Sequence, residues 1–276
     1  MLRIRNALKN SCLVLAGFAV ALALMEAALR VYNPFEIRFK PDRIVLPVHK
    51  KYLIDNSAKF TKLDRITVHT KNSLGFRGAP PPVNFTDYLT IITMGGSTTE
   101  CFYLSDGNTW TDVLGRKLAR DFNRVWINNA GLDGATTYRH LILLEDYLVA
   151  LKPKLALFLV GINDVGAGNL QAADRRKSPS FKSLNRWILN HSEVYSLGQN
   201  LYRYCVAQER GLHHQEIDLK AQGTLDRIHE KIQAETLRQY QNQSLPYYRQ
   251  RLEQLIKICR DHGIEPVFLT QPVLYG

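Results

Sequence analysis

Four strand-like runs constrain this chain more than any other feature: YLTIITMG at 88–95, which is continuously apolar, VWINNAG at 125–131, LALFLVG at 155–161 and PVFLTQP at 266–272. A strand that is apolar along its whole length suits burial on both faces, the situation of a parallel sheet. The segments between the runs have helical periodicity. Asn108 to Phe122 carries Trp110, Val113, Leu114, Leu118 and Phe122 at helical spacing. Thr136 to Leu151 places Leu141, Leu144, Leu148 and Leu151 on one face, before Pro153. Pro246 to His262 repeats the pattern with Leu252, Leu255, Ile256 and Cys259, and stops at Gly263. Strands alternating with helices predict an α/β domain on a parallel sheet with helices covering it.

A different pattern opens the chain. Arg3, Arg5 and Lys9 precede a charge-free stretch from Asn10 to Met25, which resumes after Glu26 as Ala27, Ala28 and Leu29. As a helix, Leu13 to Leu29 rises about 26 Å, close to a hydrocarbon core of roughly 30 Å. Glu26 sits near the outer end, where it reaches the interface. The basic residues precede the span, so residues 1–10 are expected in the cytoplasm and 11–32 form a single transmembrane anchor. Ala21-Leu22-Ala23 also resembles a cleavage triplet, so a cleaved signal peptide is the competing reading. Residues 33–65, with Pro34, Pro41 and Pro47, read as an extended connector. Residues 66–276 are the globular domain, which begins with a short strand and a glycine-punctuated turn in ITVHTKNSLGFRG. An Arg-, Gln- and Lys-rich segment at 165–245 interrupts it as a helical insertion, either a lid over the strand ends or a structural excursion.

The formal charge of +11 favours anionic surroundings. Nucleic acid is not the partner expected: there is no GxxxxGK[ST], GINDVGAG lacks the three-glycine spacing, and no zinc finger is present. An extracytoplasmic domain (periplasmic or extracellular) would instead turn its basic residues toward anionic lipid, cell-wall polymer or plain solvent. Cys12, Cys101, Cys205 and Cys259 form no CxxC pair. Outside the membrane, the last three allow at most one disulfide. No metal or organic cofactor is implied, and no obligate protein partner is readable.

Ligands of such sheets bind beyond the carboxyl ends of the strands. Three strand ends carry distinctive groups: Gly95-Gly96-Ser97-Thr98-Thr99-Glu100, Asn128-Asn129-Ala130-Gly131 and Gly161-Ile162-Asn163-Asp164. Paired glycines let the backbone turn sharply and lift Ser97 to the rim. A serine hydroxyl becomes a nucleophile when a base takes its proton, and acyl transfer needs donors aimed at the developing oxyanion. The backbone N–H groups of Ser97 and Gly131 and the side-chain amide of Asn163 supply three candidates. Taken singly, these are a turn, a loop and a helix cap. Their position at successive strand ends of one sheet is what points to catalysis.

Those blocks resemble the SGNH/GDSL hydrolases, serine esterases on a flavodoxin-like three-layer sheet. TMGGSTTE is similar to the first block, with Ser97 as nucleophile; NNAGLDGATT to the second, with Gly131 as the oxyanion glycine; and LVGINDV to the third, with Asn163 as the oxyanion asparagine. NSLGFRG resembles the segment before the first strand in membrane-anchored bacterial members. The resemblance implies hydrolysis of carboxylic esters, O-acetyl groups of cell-surface carbohydrate among them, through an acyl-serine intermediate. Acyl transfer to another alcohol, or an inactive glycan- or lipid-binding module, are the alternatives. Gly96 stands where the GDS form has aspartate. The resemblance also implies a base in a late Asp-x-x-His motif. The sequence reaches Gly276 before such a motif, so the expectation is a longer protein whose further residues hold it, and weak or no turnover by residues 1–276. The eight histidines offer no substitute. His262 reads as a helix cap, His140 as exposed on a helix, and His213 and His214 as part of the insertion. His49, His69, His191 and His229 lack an acidic partner at a telling spacing.

Overall fold

The computed structural model describes residues 2–32, 38–40, 43–57, 62–165, 187–209 and 230–271. The chain divides into two compact units, Met1–Val45 with Lys177–Asp226, and Leu46–Arg176 with Arg227–Gly276.

The second unit holds the parallel sheet. Its strands are β5 (Leu89–Gly95), β6 (Val125–Asn129), β7 (Leu155–Leu159) and β8 (Glu265–Phe268), in the order β6-β5-β7-β8 and all parallel. These are the four strand-like runs of the sequence, each one to three residues shorter than its run. The helices are α3 (Trp110–Leu118) and α4 (Thr137–Leu143), the latter continuing through a π-helical turn (Leu144–Leu148) into α5 (Val149–Leu151). Later come α8 (Glu230–Gln243) and α9 (Leu245–Asp261). Ile91, Ile92 and Met94 of β5 and Ala156 and Phe158 of β7 pack with Leu143, Leu144, Leu148 and Leu255 in the core. The predicted faces of α4 and α9 are buried through Leu141, Leu144, Leu148, Leu255 and Cys259, whereas that of α3 is only half-covered and leaves Val113 exposed. Thr109 and Asp112 start α3 with reciprocal side-chain-to-backbone bonds, which satisfies donors the first turn leaves open.

Part of the predicted connector is strand. β3 (Lys50–Asp55) pairs antiparallel with β4 (Ile66–Lys71) in this unit. β4 alternates in burial, yet it turns Thr67, His69 and Lys71 inward, so its inner face is polar.

The first unit contains α1 (Leu2–Val31), the hairpin β1 (Arg38–Lys40) and β2 (Arg43–Val45), and α7 (Glu193–Glu209) preceded by a helical turn at 187–191. Within α1, Lys9–Val31 is long and apolar enough to cross a membrane or to act as a signal sequence. The insertion is helical over 187–191, Glu193–Glu209 and Glu230–Gln243; its residues 166–186 and 210–229 lie outside the described set. All four cysteines are free thiols, so the disulfide that the sequence permits does not form.

Candidate active site

The chain runs from β5 to β6 on one side, then returns past β5 to lay β7 on the other. Strand order thus reverses between β5 and β7, the switch point beyond which sheets of this kind bind ligands. The first and third blocks leave the sheet from these two strands.

β5 ends at Gly95, and Gly96 is the N-cap of a single helical turn, α2 (Ser97–Glu100). Ser97 is exposed at the start of that turn, where its N–H has no intrahelical acceptor. The N–H groups of Thr99 and Glu100 return to the Gly96 carbonyl at 3.0 and 2.9 Å. Beyond β7, α6 (Ile162–Val165) carries Asn163, whose Nδ2 donates to the Ala135 carbonyl at 3.0 Å. An amide nitrogen has two hydrogens, so one is left. A Cβ placed on Gly96 would lie 2.5 Å from that Nδ2, so the amide stands directly against the residue before Ser97.

Gly131 approaches α2 from the other side. A Cβ there would lie 2.2 Å from the Glu100 nitrogen and 2.6 Å from the Thr99 carbonyl carbon, backbone atoms that cannot swing away. Asn129 holds this approach: its Nδ2 donates to the Thr99 carbonyl and its Oδ1 accepts the Gly131 N–H at 2.8 Å. The three predicted segments therefore meet around one helical turn. Sequence gave no hint that the Gly131 N–H is already bonded within its own loop.

Two supporting clusters were not foreseen. Asp164 is buried; it accepts from Thr137 N at 3.0 Å and Thr137 Oγ1 at 2.6 Å, and pairs with Arg251 at 3.2 Å. Arg251 Nε also donates to Thr137 Oγ1 at 2.6 Å. This fixes α6, and with it Asn163, to α4 and α9. On the other flank, Arg77 is buried and donates to the carbonyls of Glu100, Cys101 and Leu104 and to Asp106 Oδ1. Lys71 reaches Glu100 Oε1 at 3.4 Å, and Glu100 Oε2 accepts from Asp133 N at 2.8 Å. The visible signal was Arg77 in the NSLGFRG segment, a lone arginine between glycines.

His140 is buried on α4, against the expected exposed position, because the α4 face that carries it turns into the core rather than to solvent. Burial lowers its pKa to about 4, with the Gly95 carbonyl and the Asp164 charge acting the other way. His69 is also buried; burial first, then the charges of Arg77 and Lys71, lower its pKa to about 3. Both buried rings are therefore neutral near pH 7. His262 caps α9 as expected, with its Nδ1 2.8 Å from the Ile258 carbonyl. His213, His214 and His229 lie outside the described residues. No group of metal-binding side chains occurs among the described residues.

Ser97 thus starts a strand-to-helix turn at the switch point of a parallel sheet, with an asparagine amide against the preceding glycine, and the family match is to hydrolases of ester type. The chain belongs to the GDSL-like lipase/acylhydrolase family, whose model matches residues 93–274, more than half of its length. It is similar to the psychrotrophic esterase EstA from Pseudoalteromonas sp., at 17% identity over 63% of this chain and 99% of that one, with a TM-score of 0.27. It is also similar to AlinE4, an SGNH-hydrolase family esterase, at 21% identity over 55% and 94% of the two chains, with a TM-score of 0.27. An acetyl xylan esterase, Axe2, from Geobacillus stearothermophilus matches at 18% identity over 38% and 56%, with a TM-score of 0.24. No curated protein sequence matches the chain.

Proposed function

We propose that this chain is a membrane-anchored serine esterase with its hydrolase domain outside the cytoplasm. Ser97 Oγ attacks the ester carbonyl and the Ser97 N–H and the free hydrogen of Asn163 Nδ2 receive the oxyanion. The Gly131 N–H, shared with Asn129 Oδ1, is a weaker third donor. The alcohol leaves with the proton that a base has taken from Ser97, and water or a sugar hydroxyl then accepts the acyl group from the acyl-serine. The Ser97 hydroxyl has no hydrogen-bond partner among the described residues, and none of them is assigned the role of base. The family resemblance assigns that role to a histidine. O-acetylated cell-surface carbohydrate is the substrate class that suits an anchored domain on the outer side.

The observation that carries this reading is the placement of an exposed Ser97 beside the Asn163 amide at the switch point. A fluorophosphonate probe tests it on the whole chain. Labelling should occur and vanish in Ser97→Ala; labelling that persists in that variant removes Ser97 as nucleophile. The unpartnered hydroxyl also admits a second reading, a binding cleft without turnover. A parent chain that takes no probe and hydrolyses no p-nitrophenyl acetate, yet retains acetylated oligosaccharide, would favour it.

A further inference from the structure

Glu26 is the acidic residue that breaks the apolar run, and all its acceptor positions are used. Oε1 accepts from Glu193 N and Arg30 Nε, each at 3.0 Å; Oε2 accepts from Ser192 Oγ and Val194 N, each at 3.1 Å. Arg30 Nη2 donates in turn to the His191 carbonyl at 2.8 Å. The end of α1 thus caps the N-terminus of α7 with a carboxylate, which the helix dipole favours. Along residues 9–32 only Leu22, Glu26 and Leu29 are partly covered, one helical face at spacings of four and three.

Beside this bracket lies a groove of about 780 Å³. Leu22 and Ala23 of α1 form one wall, and Ile188, Tyr195, Gly198 and Tyr202 the other. Trp187 closes one end, stacked on His191 at 4.6 Å yet 59% exposed, and Tyr202 is 68% exposed. Indole and phenol rings left open in this way match the aromatic belt of a membrane–water interface, with an apolar body and a polar tip. The level also matches. The 23 residues Lys9–Val31 rise about 35 Å against a core of roughly 30 Å, which leaves Arg30 at the interface and Glu26 about one turn below it.

We infer that this groove seats an acyl chain of a membrane phospholipid, so that residues 187–202 dip into the bilayer surface beside the anchor. The inference rests on the membrane reading of α1. What surrounds such a helix is lipid, one groove wall is that helix, and the walls are mainly apolar, with Glu26, Arg30, His191, Ser192 and Gln199 as their polar members. The Arg30 guanidinium and the Trp187 and Tyr202 tips lie where headgroup and water begin.

The whole chain in phosphatidylcholine vesicles brominated midway along the acyl chain tests this. Trp187 is read as the fluorescence difference between the parent and Trp187→Phe. The groove is separately filled by Gly198→Leu, since a Cβ at Gly198 meets nothing within 4 Å. Bromine should quench the Trp187 component at least as strongly as aqueous iodide does, and Gly198→Leu should remove at least half of that quenching while the chain still floats with vesicles. A chain that does not float refutes the anchor, and the inference with it. A floating chain whose Trp187 answers only to iodide, or to neither quencher because a second copy covers it, overturns the groove assignment alone. Full quenching retained in Gly198→Leu does the same.

Discussion

The two units solve one problem in the same chemical terms and at different depths. In each, a carboxylate accepts backbone N–H groups at the start of a helix and pairs with an arginine: Asp164 with Thr137 N and Arg251, Glu26 with Glu193 N, Val194 N and Arg30. Arg251 and Asp164 are 2% and 4% exposed, whereas Arg30 and Glu26 are 60% and 23% exposed. Removing one partner of a buried pair strands the other charge in the core; removing an exposed partner hands the other to water. The same motif is therefore a strong constraint beneath the candidate site and an adjustable strap on the amino-terminal helix.

That contrast can be broken by substitution. Arg251→Ala should cost about 3–5 kcal/mol of unfolding free energy, read by denaturant titration of the full chain. A loss below ~1 kcal/mol would place the pair with exposed ones. Asn163→Ala should slow fluorophosphonate labelling by roughly 10²–10³, equivalent to about 2.7–4 kcal/mol of barrier, with the denaturation midpoint little changed. An equal fall in stability would make Asn163 a structural part of the Asp164 cluster.

Acid sharpens the comparison further. His69 and His140 have folded pKa values near 3 and 4, below the ordinary 6.5. The unfolded chain therefore binds more protons between those limits. Stability should be full above pH 6.5 and fall on acidification, by about 1.4 kcal/mol per pH unit for each ring in its window. His140→Leu should flatten the slope by one ring; an unchanged slope would show that His140 does not stay neutral. The smallest effect belongs to the outer strap. Glu26→Ala should cost roughly 0.5–2 kcal/mol, the value of a helix cap. The expected readout is faster hydrogen exchange confined to the first turn of α7.

Much of the sheet was legible because burial on both faces leaves an unmistakable apolar run, and glycine, asparagine and proline mark its ends. The helices that cover it were legible from one-sided periodicity. β3 was missed because KKYLID, with its charged ends, alternates with a face that stays open. β4 hides its polarity inward, where Lys71 meets Glu100, a pairing across 29 residues that no local pattern announces. His140 was misplaced for a related reason: helical spacing identifies a face, and polarity suggested solvent for a ring that the fold turns into the core.

By itself the sequence determined the alternation of strand and helix, the apolar helix at the amino terminus and the three strand-end blocks, since each depends on residues close along the chain. Only the tertiary structure decided which blocks flank the switch point and that the Asn163 amide abuts Gly96. It also showed that Asn129 holds the Gly131 N–H and that Glu26 is consumed as a helix cap. Those are distances between segments separated by tens of residues, and they are set by strand order and close packing, which no local run of side chains encodes.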